Sequence, residues 1–222
     1  DVGAETITMT VQSDLVGMAL NLPQPMGKAA LESRQLKVTS TLLSDKVEDR
    51  RFNVHYGDAL HAVLEMTAQR PNGFALQRGA FRLGGGEAIL TSEQGISVDG
   101  AVAVFSVDDW ATLIAELQAQ PKMPNQPLRS MSLLQRVQVR AQRLVAVGAV
   151  FDDVALRVSR DTQGSWLIAT NGKGIDGTIS ITEPIGDMPI DARFTRLHVR
   201  RETTTDSANA ASEHISIEPG SL

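Results

Sequence analysis

Apolar and polar residues alternate with a period of two along most of this chain, and the alternation restarts about a dozen times. A period of two sends successive side chains to opposite faces of an extended strand, so each run reads as a strand with one apolar and one wet face. The first run sets Ile7, Met9 and Val11 against Thr6, Thr8 and Thr10; the next sets Val16, Met18, Leu20 and Leu22 against Gly17, Ala19 and Asn21. The pattern returns in Leu36, Val38 and Leu42, in Phe52, Val54 and Tyr56, in Leu60, Ala62, Leu64 and Met66, and in Phe74 and Leu76. Ile96, Val98, Val102 and Val104 continue it, followed by Val137, Val139 and Ala141, then Val154, Leu156 and Val158, then Trp166 and Ile168, and finally Ile175, Ile179 and Ile181.

Short punctuators such as "YGD", "RPNG", "LGGGE" and "NGKG" separate these runs and supply the backbone angles that tight turns need. Strands joined by tight turns run antiparallel. Gly84 to Gly86, and Gly100 inside a strand, fit bulges or bends that curve a sheet. One segment has a different period: Trp110, Leu113, Ile114 and Leu117 follow helical spacing, with Ser106 or Asp108 as N-cap and Pro121 as a stop. The expected fold is therefore mainly β: a long, strongly curved antiparallel sheet forming an open groove, with one amphipathic helix at about 108–119 packed on its face or end. Strand lengths vary too much for a sealed barrel. The proline-rich "PKMPNQPLRS" reads as a loop, since strands on either side have the same character. Residues 1–199 thus form one section, 200–213 a flexible polar loop, and 214–222 the truncated start of a following strand.

Composition excludes several functions. With 21 basic against 26 acidic residues and a net charge of −5, the chain lacks the dense cationic face that nucleic acid requires. There are no cysteines, which removes disulfides, thiolate metal sites and Cys nucleophiles. The longest apolar run, Leu144 to Phe151, is far short of a bilayer span. The start at Asp1, without Met or a signal pattern, reads as a processed protein or an excised section.

Gly172, Gly174 and Gly177 have dinucleotide-loop spacing, but they lead into the β-branched "TISITEP" rather than a helix that could receive a pyrophosphate. A hairpin turn is the better reading. His61 and Glu65, four apart on a strand, share a face but sit too far apart to bind one metal, and the four histidines are scattered. Neither a G-x-S-x-G nor an S-x-x-K nucleophile motif is present. No catalysis, cofactor or metal is expected.

The stretch "LNLPQPMGKAALESRQLKV" resembles the YhdP family of AsmA-like proteins, in which a strand ending in L-P-x-P-x-G-K leads through a polar link into another strand. "HYGDALHAVLE", "FSVDDWATLIAEL", "VFDDVALRVSRDTQGSWLIATNGKGIDGTISI" and "RFTRLHV" are similar to successive pieces of the same family, in order, so the resemblance runs from Leu15 to Val199. It implies an internal section of a longer envelope protein, held to the inner membrane by an anchor outside this stretch. It also implies a periplasmic body of repeating β-grooves that moves phospholipid between inner and outer membranes. On that reading the partners are phospholipid acyl chains and neighbouring β-groove sections of the same chain, with no nucleic acid. "LPQPMGK" would release one strand from the sheet rim, with Lys28 as a solvated rim cap.

If so, the residues expected to meet acyl chains are Val16, Met18, Leu20, Leu22, Leu36, Val38, Val137, Val139, Ile175, Ile179 and Ile181, because alternation sends them to one side of their strands. Two alternatives share the same pattern: a closed β-sandwich serving as a structural or protein-binding module, and a hydrolase whose site is assembled from distant residues.

Overall fold

The computed structural model describes residues 7–42, 49–69, 73–119, 133–160, 165–182 and 190–201. Its strands are β1 (Thr8–Ser13), β2 (Leu36–Leu42), β3 (Asp49–Tyr56), β4 (Leu60–Gln69), β5 (Gly73–Leu83), β6 (Gly95–Ser106), β7 (Leu134–Ala146), β8 (Ala149–Arg160), β9 (Trp166–Lys173), β10 (Ile175–Ile181), β11 (Asp191–Leu197) and β12 (Arg200–Arg201). The single helix among the described residues, α1 (Val107–Ala119), follows β6 directly. Strands β1 to β11 lie side by side in chain order in one open sheet, and β12 pairs with β8 off that path. The fold is mainly β, as the alternation requires.

The structure corrects the expected antiparallel pairing at two places. β5 pairs with β6 in parallel, and β6 with β7 likewise, so the sheet is mixed. Parallel neighbours need a connection that returns the whole strand length. "LGGGEAILTSEQ" therefore carries the chain back over the sheet, not around a tight turn, and Ala88 within it is buried against Val63 and Ala80. The second return holds α1. Two glycines allow the β5–β6 junction. A Cβ on Gly84 (φ +72°) would lie 1.6 Å from the Ala101 carbonyl oxygen, and one on Gly100 (φ +138°) would lie 2.1 Å from that of Leu83. Only glycine can stand at either point.

The N-terminal alternation also misleads in one run. Residues 16–22 form no strand beyond a single bridge between Leu20 and Lys28. Leu15 (φ 54°) and Gly17 (φ 88°) turn the backbone out of the extended region. Lys28 takes the acceptors that a ladder would need: its Nζ donates to the carbonyls of Leu15 at 2.8 Å, Met18 at 2.6 Å and Ala29 at 2.9 Å. Lys28 is only 5% exposed, so it is a buried clamp rather than a solvated rim cap. Three charge-assisted bonds offset its burial.

The segment from 14 to 35 accordingly folds back over the sheet. Tyr56 Oη donates to the Met26 carbonyl at 2.9 Å, Trp110 Nε1 to that of Gln24 at 3.3 Å, and the Gln24–Pro25 bond is cis. Ser106 caps α1 by accepting the Asp109 amide at 3.1 Å. The Asp108 carboxylate holds the β7–β8 hairpin tip through the Val147 and Gly148 amides, at 2.7 and 2.8 Å. Contrary to expectation, the helix stripe is not sealed: Trp110 and Leu113 are half-buried and Ile114 is 37% exposed, while the Leu117 side chain lies outside the described part.

Gly174 alone separates β9 from β10, an antiparallel hairpin, so the glycine spacing there makes a turn. The expected flexible loop at 200–213 begins instead with the paired β12; the rest of it, the 214–222 strand and the proline-rich 121–130 connection lie outside the described residues.

Candidate functional site

Register decides which side chains share a face, because directly opposed residues point the same way. Following the pairs across the sheet gives one uninterrupted row: Val11, Val38, Val54, Ala62, Phe81, Val98, Val137, Val158, Ile168, Ile179 and Ala192. Each of the strands β1 to β11 contributes one residue, and none is polar. At about 4.8 Å per strand this row spans about 48 Å. A neighbouring row runs Leu36, Tyr56, Leu60, Leu83, Gly100, Val139 and Leu156 on the same face.

Burial along this face is graded. The main core contains Leu83, Val102, Val139, Ala141, Leu144, Phe151, Val154 and Ile175, and Met26 from the folded-back segment packs on it. Val154 is fully buried at 0% exposure. One residue pair further along each strand, Val38, Val54, Phe81, Val98, Val137, Val158, Ile168 and Ile179 are only half-buried. One end of the apolar face is thus a dry core capped by the 14–35 segment, and the remainder is partly open.

The expected apolar set divides accordingly. Leu36, Val38, Val137, Ile179 and Ile181 lie on the common face, half-buried. Val139 and Ile175 lie on it too, but as core, at 4% and 6% exposure. Val16, Met18, Leu20 and Leu22 are not on that face's strands, because the 14–35 segment carries them as loop; Val16 and Met18 are more than half exposed. Sequence reasoning missed Val11, Val54, Ala62, Phe81, Val98, Val158, Ile168 and Ala192 as members of the row. Except at Phe81 and Ala192 their alternation was legible, but which of two faces they join depends on register with neighbours.

The opposite face is mainly polar, apart from the Val63, Ala80 and Ala88 cluster beneath the β5–β6 return. Thr8 faces Thr41 and Thr10 faces Thr39. Near its middle Glu65 is held between two guanidiniums: Arg51 Nη2 at 2.6 Å and Arg78 Nε at 2.5 Å. Desolvation pushes the Glu65 carboxyl up, but these two arginines outweigh it and hold the group below its ordinary 4.5.

His55 and His61 stack on the same face, centroids 3.9 Å apart at 14°. With Glu87 they bring three ligand-type atoms within 4.8 Å of one another. Coordination fits poorly: His61 Nδ1 already accepts the Ala88 amide at 2.8 Å, and in-plane lone pairs of stacked rings run parallel instead of converging. Burial lowers the His61 pKa from 6.5, and His55 lowers it further. Glu87, 2.9 Å away, pulls the other way, but at 77% exposure its charge is screened.

These two groups fix a pH response. Above 6.5 His61 is neutral in both states; below it the unfolded chain takes up a proton that the folded chain resists, so stability falls. Below 4.5 protonation of Glu65 removes a second increment. The melting temperature should therefore drop in two stages, one as pH falls below 6.5 and one as it falls below 4.5, and His61→Gln should remove the first stage only. A wild-type melting temperature that stays flat between about pH 7 and pH 5 would contradict this assignment.

No helix of the described residues is long and apolar enough to cross a membrane. Neither a curated protein nor a solved structure matches the chain. A family model, that of the YhdP protein, matches residues 1–218, nearly the whole length. That match spans the resembling pieces from Leu15 to Val199, and the chain belongs to the YhdP family of AsmA-like proteins.

Proposed function

We propose that this chain is a non-catalytic section of a bacterial envelope protein, carrying phospholipid acyl chains along its apolar face between inner and outer membranes. The observation that carries this reading is the unbroken apolar row from Val11 to Ala192, half-open over most of its length. A row of that kind holds each methylene out of water for about 0.8 kcal/mol wherever it sits, so binding is favourable while sliding meets little barrier. The row is aliphatic apart from Phe81, and aromatics make up 4% of the whole chain, a surface that yields to flexible chains and recognises none in particular. Acyl specificity should be loose. The setting is periplasmic, with an inner-membrane anchor and neighbouring β-groove sections elsewhere in the same protein.

The sandwich alternative needs a second sheet to cover the apolar face. All strands among the described residues belong to one sheet, which favours the groove.

Photo-crosslinking in cells tests the reading. A photoreactive residue at Val137 or Ile179 of the native-length protein should capture phospholipid. One at Thr8 or Gln138, on the polar face, should not. Equal labelling of both sets, or none at either, overturns the assignment.

A further inference from the structure

We propose that a cavity on the polar face of β7 to β11, walled by Arg140, Arg157 and Arg193, binds a phosphate-bearing anion. This inference does not rest on the lipid reading, since it concerns the other side of the sheet.

Two cross-strand rows build the site. Arg140 faces Ala155, which leads through Asn171 to Asp176, while Arg157 leads through Ala169 and Thr178 to Arg193. Arginines on a solvated sheet face are ordinary; what distinguishes these is the floor between them. Ala155, Ala169 and Thr178 are too short to fill the space, leaving an open cavity of about 670 Å³. Long cationic walls around a small-residue floor shape a recess for something negative.

The charges inside the recess are unbalanced. Arg140 and Arg157 sit on adjacent strands as diagonal neighbours, about 7–8 Å apart at the backbone, where like charges repel. Neither has an ion-pair partner among the described residues. Arg193 meets Asp191 at 3.0 Å, but side chains 82% and 58% exposed make that pair weak. Asp176, the one carboxylate in the lining, accepts the Asn171 amide at 2.9 Å. The recess therefore holds a cationic excess in a chain of net charge −5. All three walls are arginine, whose planar fork matches phosphate oxygens two at a time. The cavity is far larger than a lone carboxylate and suits a phosphate ester with its attached alcohol. A phospholipid headgroup or a soluble phosphate ester would present the same chemistry.

The test uses the native-length protein, an Arg140→Gln/Arg157→Gln double variant, and Arg136→Gln as a control on the same face outside the cavity. Binding of glycerol phosphate and of inorganic phosphate is followed by calorimetry. Flotation with phosphatidylglycerol vesicles is compared with phosphatidylcholine vesicles. The proposal expects at least tenfold weaker phosphate binding in the double variant, little change in the control, and loss of affinity with added salt. If only vesicle binding falls in the double variant, the ligand is a headgroup; if only soluble ester binding falls, it is a free phosphate ester. Wild type that binds neither probe, or a double variant that binds as wild type does, overturns the proposal. Unchanged far-UV circular dichroism and melting temperature establish that the exposed substitutions leave the fold intact.

Discussion

Gly100→Val should abolish cooperative folding. Its Cβ would lie 2.1 Å from the Leu83 carbonyl oxygen and 2.7 Å from the Leu83 nitrogen, both backbone atoms of the neighbouring parallel strand that no rotamer change can move. The position also has φ +138°, a conformation that β-branched residues scarcely populate. Strain of about 1–3 kcal/mol from the backbone alone adds to the loss of β5–β6 pairing at the point where the sheet changes from antiparallel to parallel. Leu83 is itself buried in the main core, so displacing its backbone disturbs the core as well. The total should exceed about 4 kcal/mol, a large part of the 5–15 kcal/mol that holds a typical domain. Gly148→Ala is the matched control: φ there is +67°, but nothing lies within 4 Å of the added Cβ, so it should cost about 1 kcal/mol. Thermal melts by circular dichroism decide the matter. A Gly100→Val protein melting within a few degrees of wild type would mean that β5 and β6 do not pair as described.

That glycine marks the boundary of what the sequence made legible. Alternation at Leu36, Val38, Val137, Ile179 and Ile181 correctly named strands and a shared face, because period two is a local property that tertiary context rarely overturns when both faces have consistent partners. The same local pattern at Val16 to Leu22 failed. There the deciding fact was a lysine six residues beyond, whose ammonium captures the carbonyls of Leu15 and Met18. No periodicity signals such a clamp.

The two parallel pairs were hidden for a related reason. "LGGGE" and "NGKG" look alike as punctuation, yet Gly174 closes a hairpin while Gly84 to Gly86 open a return crossover. What separates them is where Ala88 can be buried, against Val63 and Ala80, a long-range fact. The apolar face was legible in kind but not in extent. Val139 and Ile175 read the same as Val137 and Ile179, and only long-range packing, with Met26, Leu60, Phe105 and Phe194 among the side chains against that cluster, separates core from half-open surface.

Val137→Glu should stop lipid transfer without unfolding the protein. Val137 lies in the middle of the apolar row, opposite Val98 on one side and Val158 on the other, and it is half-buried. A carboxylate there keeps partial access to water, so the cost to folding stays near 1–2 kcal/mol instead of the much larger penalty of a fully buried charge. For a sliding acyl chain the consequence is greater. The chain must either expose several methylenes, at about 0.8 kcal/mol each, or press them against a charged group that must be desolvated. Three exposed methylenes already amount to about 2.4 kcal/mol, which is more than tenfold in rate. Gln138→Glu adds the same charge one residue later, on the opposite face, where Arg157 stands across from it. Transfer of labelled phospholipid between inner and outer membranes, measured with each variant at native length, should therefore fall at least tenfold for Val137→Glu and stay near wild type for Gln138→Glu. Equal transfer by both variants would show that acyl chains do not cross the sheet along this row.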